Sequence, residues 1–281
     1  TAPHGGEGND FDDLILRNDQ SEMISKLAKI NPNITVVLLT AGLPVNLHPW
    51  KDHVGAILAC FYSGQSTGDA ILDILSGKVC PGGKLSFTWG ENLMDYSSHA
   101  LNAWHPKRVS NETYYSGRDP EKRKAVHLFS TEFKEGIFVG YRWFDQKSIE
   151  PDYAFGHGLS YTSFTIDDQG VEIKDNSITS PKIQVSVRVK NTGKVKGSEV
   201  VQVYVEDENS SIERPLRELK GFKKVFLEPG EEKTVRIMLD FRSFAFWSVN
   251  KHNWIIEPGT FILNIGNSSR DFAYKKEIVL E

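Results

Sequence analysis

Cysteine is scarce in this sequence, Cys60 and Cys80 being the only two, and so small a number excludes the disulfide framework that holds many small secreted scaffolds. No C-x-x-C pair exists for zinc or redox chemistry, and the two thiols either bridge each other or stay free. Long apolar runs are missing as well. The longest nearly apolar stretch, 55–62, falls far short of the roughly 20 residues that cross a bilayer as a helix, so no segment reads as a membrane span. Neither sign of charge dominates: Lys and Arg total 33 against 37 Asp and Glu, for a net charge of -4, and no basic block interrupts the balance. The electrostatic footprint of a nucleic-acid binder is therefore absent. With 39% hydrophobic and 25% charged residues, 23 glycines and 12 prolines, the composition excludes disorder, collagen and a coiled coil. There is no initiating Met and no apolar leader; the sequence opens Thr1-Ala2-Pro3, which reads as a processed or cut end.

The 281 residues exceed the usual domain length of about 100 to 150, which favours two packed domains. Residues 19–30 set Met23, Ile24, Leu27 and Ile30 at helical spacing, with Asp19 as a candidate cap. Residues 35–41 and 55–61 are apolar runs that read as strands buried on both faces, and 68–75 reads as a short helix. Strand and helix alternate, so the first half is expected to be α/β with a parallel sheet. From 91 to 130 the pattern dissolves into polar and aromatic residues, a loop long enough to suggest a functional role. Residues 136–144 read as a further strand. After Phe164 the pattern changes: Ile183, Val185, Val187 and Val189 alternate with polar residues, and short strands with turn signals follow to the end. That spacing predicts an antiparallel β-sandwich, without the Cys-Trp-Cys arrangement of antibody domains. The division falls near 165–180, giving an α/β domain over 1–165 with the long loop 91–130 and a β-sandwich over 166–281.

Several patterns carry candidate chemistry. Gly64-Gln65-Ser66-Thr67-Gly68 spells G-x-S-x-G between a strand and a helix, the setting of a nucleophile elbow, with Asp95 and His105 or His157 downstream as triad partners. Its plainer reading is a glycine turn. Gly5-Gly6-Glu7-Gly8 presents one carboxylate between glycines, either a solvated loop or a general acid that substrate approaches closely. Asp10, Asp12 and Asp13 lack the spacing of a calcium loop and read as surface charge or capping. Glu135 and His157 read as packing or hydrogen-bonding residues of the domain junction, and Trp247 and Trp254 as structural. Nothing calls for a cofactor or a metal. Sequons at Asn33, Asn111, Asn209 and Asn267 favour a secreted glycoprotein.

Together these segments resemble the C-terminal portion of glycoside hydrolase family 3, the β-glucosidase and β-xylosidase group. Gly6-Glu7-Gly8-Asn9-Asp10 is similar to its S-G-E-G-Y-D-R stretch, with Asn9 and Phe11 standing where the family has Tyr and Arg. Pro32-Asn33, Val36-Val37 and Gly42-Leu43-Pro44-Val45 are similar to its N-P…V-V…G-x-P-V strand and turn. Residues 63–68, 73–77 and 81–85 follow its P-G-Q-E-x-G, D-v-L-x-G and P-x-G-K-L order, Ser66 replacing the usual Glu, which recasts the apparent serine elbow as the family's turn. Glu135-Gly136-Ile137-Phe138-Val139-Gly140-Tyr141-Arg142-Trp143-Phe144-Asp145 and Phe155-Gly156-His157-Gly158-Leu159-Ser160-Tyr161-Thr162 match its most specific signatures, and 191–231 resembles its fibronectin-III-like domain. The match is collinear over essentially the whole chain.

The resemblance implies a three-layer α/β sandwich followed by a fibronectin-III-like, immunoglobulin-like β-sandwich. It also implies a retaining exo-glycosidase, a β-glucosidase first, acting on terminal β-linked sugars of oligosaccharides or glycosides. Glu7 would be its general acid/base, while a separate N-terminal (β/α)8 barrel chain would supply the Asp nucleophile. On that reading the chain is the C-terminal part of a processed or nicked enzyme. A noncatalytic carbohydrate-binding module and a serine hydrolase using Ser66 are the alternatives.

Overall fold

The computed structural model describes residues 13–17, 19–39, 44–103, 107–116, 124–130 and 132–281, the strands between 107 and 129 by their backbone. The first helix, α1 (Gln20–Ile30), turns Ile24 and Ala28 inward one turn apart. Asp19, the candidate cap, does not cap it. It takes a left-handed φ of 56° and its side chain makes no bond to the first turn, since an N-cap needs extended backbone to aim its oxygen at those N–H groups. Two four-residue strands, β1 (Thr35–Leu38) and β2 (Ala56–Ala59), pair in parallel with Val36 opposite Ile57, and α2 (Thr67–Leu75) follows. Ile24, Val36, Leu38, Leu47, Trp50 and Trp89 form the core of this half.

Burial on both faces, expected for the two strands, is not reached. Neither β2 nor α2 contains a fully buried residue, and Met23, Leu27, Ile30, Leu39, Leu72 and Leu75 are all exposed. A two-stranded parallel sheet offers too little surface to cover two helices and both of its own faces.

The stretch read as a loop over 91–130 holds regular structure. A 3-10 turn at Leu93–Asp95 and a single-turn helix α3 (Ser97–Ala100) lead into an antiparallel hairpin of β3 (Lys107–Ser116) and β4 (Lys124–Ser130). Among the described residues these strands pair only with each other, outside the sheets whose buried faces impose a sequence period. The strand expected over 136–144 is instead a turn followed by α4 (Tyr141–Gln146). Gly136 and Gly140, at φ 57° and 60°, break extended backbone on either side of Phe138.

The second half is a complete sandwich. One sheet has the order β5-β6-β9, from β5 (Phe164–Asp175), β6 (Lys182–Asn191) and β9 (Glu232–Leu239). The other runs β13-β12-β7-β8, from β7 (Gly197–Asp207), β8 (Glu218–Leu227), β12 (Gly259–Gly266) and β13 (Phe272–Leu280). Ile183, Val185, Val187 and Val189 of β6 share one core with Val201 and Val203 of β7 and Leu263 and Ile265 of β12. A one-turn helix α5 (Phe241–Phe244), capped by Asp240, leads into a short hairpin of β10 (Phe246–Ser248) and β11 (Asn253–Ile255). Because Leu263 is wholly buried at the middle of this core, Leu263→Ala is expected to destabilise the protein by about 2–5 kcal/mol. Denaturant titration checks this through a lowered midpoint with an unchanged slope.

Candidate functional site

The 81–85 and 155–162 segments meet beside the seam between the halves. The Leu85 N–H donates to the His157 carbonyl and the Gly156 N–H to the Leu85 carbonyl, both at 2.8 Å. A side chain on Gly158 would run into the Gly83 carbonyl, and Gly156, at φ 82°, has the Gln202 carboxamide where a Cβ would sit. Gln202 in turn donates to the Gly156 carbonyl at 3.3 Å and to the Asn267 carbonyl at 2.5 Å, and it accepts from the Tyr204 hydroxyl at 2.7 Å. Lys84 bridges the seam, donating to the Gly158 carbonyl at 2.8 Å and pairing with Glu199 at 2.7 Å.

A second seam is built on α4, whose six residues divide between two neighbours. Tyr141, Arg142, Asp145 and Gln146 face the sandwich, the i, i+1, i+4, i+5 set that shares one side of a helix. The Tyr141 hydroxyl accepts from the Leu219 N–H at 2.9 Å, Arg142 pairs with Glu218 at 3.1 Å, and Gln146 donates to Glu213 at 2.8 Å. Asp145, its side chain 1% exposed, holds Arg217 at 2.9 Å and Arg270 at 2.7 Å. Burial alone would raise the Glu218 carboxyl, but Lys220, Arg142 and Arg214 around it outweigh that and hold it below the usual carboxylate range. Trp143 and Phe144 point the other way. They pack with Tyr96 and Leu101, and the Trp143 indole donates to the Asp95 carbonyl at 3.0 Å.

Glu7 lies outside the described residues, as do Asp10, Asp12 and His105. Asp13, the described member of the acidic run, accepts from the Ile15 N–H at 2.9 Å and pairs with Arg17 at 3.0 Å. Among the described residues no group of three or more His, Cys, Asp or Glu could hold a metal ion. Ser66 sits exposed at the start of α2, after Gly64 at φ 75°. Two of its supposed partners, Asp95 and His157, make other contacts. The Asp95 carboxylate accepts from the Asn92 N–H at 2.8 Å, and the His157 ring stacks on Tyr153 with centroids 5.2 Å apart. Burial, then the nearby Lys84, push His157 below its ordinary range, with Asp271 opposing. Ser66, exposed after the left-handed Gly64, fits the turn reading.

One carboxyl oxygen of Glu135 is buried without a partner. Trp247 and Trp254 form an edge-to-face cross-strand pair, 5.8 Å between centroids, and the Arg242 guanidinium covers Trp254 at 3.5 Å, so they support the short hairpin. Cys60 and Cys80 are free thiols, and burial raises Cys60. Of the sequons, Asn33 and Asn209 are exposed. Asn267 is half-buried, and Ser268 and Ser269 beside it are buried in the seam. Asn111 falls on β3, its side chain outside the described residues. Sequence reasoning missed Asp145, Arg217 and Arg270, although an aspartate closing the aromatic run Tyr141 to Phe144 was a usable signal for a buried charge.

A parallel α/β unit seamed to a fibronectin-like sandwich, with a Gly-Glu-Gly segment preceding it in sequence, is the C-terminal architecture of a class of glycoside hydrolases. Residues 1–141 match the family model described as the glycosyl hydrolase family 3 C-terminal domain, and 199–269 match the fibronectin type III-like domain. The thermostable beta-glucosidase B of Acetivibrio thermocellus is 44% identical over 272 residues, 97% of this chain and 33% of that one. An exo-alpha-(1->6)-L-arabinopyranosidase of Bifidobacterium breve is 36% identical over 275 residues, 98% of this chain and 33% of that one. A crystal structure of Kluyveromyces marxianus beta-glucosidase with glucose matches at a TM-score of 0.81 and 35% identity, covering 98% of this chain and 30% of that one. The chain belongs to glycoside hydrolase family 3. It spans about a third of the length of the curated relatives it matches.

Proposed function

We propose that this chain works as the C-terminal part of a retaining exo-β-glycosidase, a β-glucosidase first, that removes terminal β-linked sugars from oligosaccharides or glycosides. The observation that carries the partner is the unfinished α/β half, whose exposed Met23, Leu27, Ile30, Leu72 and Leu75 present apolar surface to further protein. A barrel-bearing portion, held as a separate chain, covers that surface and brings the nucleophilic Asp. In the first step that Asp attacks the anomeric carbon while the Glu7 carboxyl gives its proton to the departing glycosidic oxygen. In the second, the Glu7 carboxylate takes a proton from water, whose oxygen displaces the Asp. Such a pair works with its carboxyl groups about 5 to 5.5 Å apart. The hairpin of β3 and β4 shapes the outer sugar subsites. The sugar itself stays open between the kinds of activity found among the relatives.

In the assembled enzyme, Glu7→Gln is expected to lower kcat/KM, which reports the first step, by about 10²–10⁴-fold on alkyl glucosides and far less on dinitrophenyl glucoside, whose leaving group needs no proton, while kcat falls on both because the second step has lost its base. Equal turnover by Glu7→Gln and the unaltered enzyme on both substrates sinks the assignment. Native mass spectrometry of the purified enzyme is expected to give a complex well above 31.7 kDa that separates, on denaturation, into this chain and a larger one. A lone chain at its own mass refutes the separate partner.

We further propose that the protein is secreted and carries glycan where the sequon is open. Asn33→Gln and Asn209→Gln are each expected to remove one glycan mass on expression through a eukaryotic secretory pathway, and Asn267→Gln none. Glycan at Asn267, or none at Asn33 and Asn209, contradicts this.

A further inference from the structure

The β3–β4 hairpin lies between two legs, 93–103 and 132–140, and both legs run to α4. The Trp143 indole holds the Asp95 carbonyl, Tyr96 packs edge-on against Phe144 at 5.7 Å, and Lys134 of the second leg donates to the Leu101 carbonyl of the first at 3.4 Å. The Tyr96 hydroxyl accepts from the Gly90 N–H at 2.8 Å, and burial pushes its pKa up to about 12, so the first leg is tied at its root as well. The opposite face of the same short helix is fixed to the sandwich by Asp145, Tyr141 and Arg142. Six residues have too few internal hydrogen bonds to hold a helix by themselves, so α4 keeps its place only through these two sets of contacts. The sandwich side supplies the ionic ones. Arg217 binds both Asp145 oxygens, at 2.9 and 3.4 Å, and stacks on Phe272 at 5.1 Å. Arg270 pairs with Asp145 and also donates to the Ile149 carbonyl at 3.0 Å, closing over the exit of α4.

We infer that Asp145, clamped by Arg217 and Arg270, is a positioning residue through which the fibronectin-like sandwich sets the β3–β4 hairpin and thereby the outer-subsite preference of the enzyme. The sandwich then has a role in specificity without touching substrate. The subsite half of this inference rests on the reading of the hairpin given above, whereas the mechanical half rests on the contacts alone, and the experiment separates them.

Amide hydrogen exchange of the full chain in its native assembly is compared for the unaltered protein, Asp145→Asn and the milder Tyr141→Phe, with Glu228→Gln, which breaks the exposed Lys196 pair, as control. The altered clamp is expected to speed exchange in 107–116 and 124–130 by about tenfold or more while the amides of β6, β7 and β12 keep their protection, as for a sub-global opening. Unchanged hairpin exchange in both variants overturns the inference, and so does equal loosening of the sandwich strands, which would make the clamp a matter of global stability. Kinetics then read the second half. Asp145→Asn should raise KM for glycosides with long aglycones several-fold, leave kcat on nitrophenyl glucoside near that of the unaltered enzyme, and be rescued in part by Asp145→Glu. A freed hairpin with unaltered aglycone preference keeps Asp145 as the hairpin's anchor and removes the hairpin from the substrate site.

Discussion

Asp145 keeps all but 1% of its side chain from water, and a carboxylate at that depth is tolerated only where cations and donors replace its hydration, since an unpaired buried ion costs several kcal/mol. Its two guanidiniums come from segments that lead into β8 and β13, the two edge strands of the four-stranded sheet. A rotation of the sandwich against α4 would strand one arginine or the other, so the charge fixes an orientation that apolar contact alone would leave loose. The glycine seam works with the same tolerance. Gly158 against the Gly83 carbonyl and Gly156 against Gln202 admit backbone contact only at one spacing.

The halves differ in how far each can sustain itself. The sandwich has a closed core of alternating residues from both sheets, enough apolar burial to fold around its own centre. The α/β half has two short parallel strands and helices whose apolar stripes are divided between core and surface. On α1, Ile24 and Ala28 are covered while Met23, Leu27 and Ile30 are exposed, so only part of its apolar surface is buried. The dependent half thus borrows order from the sandwich across the two seams.

Where burial on one face imposed a period of two, the fold was legible from the residues: the alternation over 183–189 is that of a half-buried strand, and the sheet register agrees. The parallel pair was legible from its apolar runs for a related reason. The helix α4 was not, because an interleaved aromatic run after two closely spaced glycines suits a strand as well as a short helix. Only the positive φ of Gly136 and Gly140 decides between them, and composition does not report φ. The β3–β4 hairpin escaped notice because its strands are paired only with each other. The ion cluster escaped for a different reason: Asp145, Arg217 and Arg270 are remote in sequence, and nothing local announces which charges will meet.

The segments that carry the family resemblance most specifically, 135–145 and 155–162, are the ones that hold the seams. Their glycines, aromatics and single aspartate answer to close backbone approach, helix packing and a buried charge, all of them demands of assembly. Such demands fix residue types tightly because the alternatives collide or leave a charge unpaired. The chemistry makes a weaker local demand, one carboxyl between glycines at Glu7, and a solvated loop satisfies that pattern equally. The proposed acid/base role of Glu7 rests on that one local pattern, whereas membership in glycoside hydrolase family 3 rests on the match over nearly the whole chain.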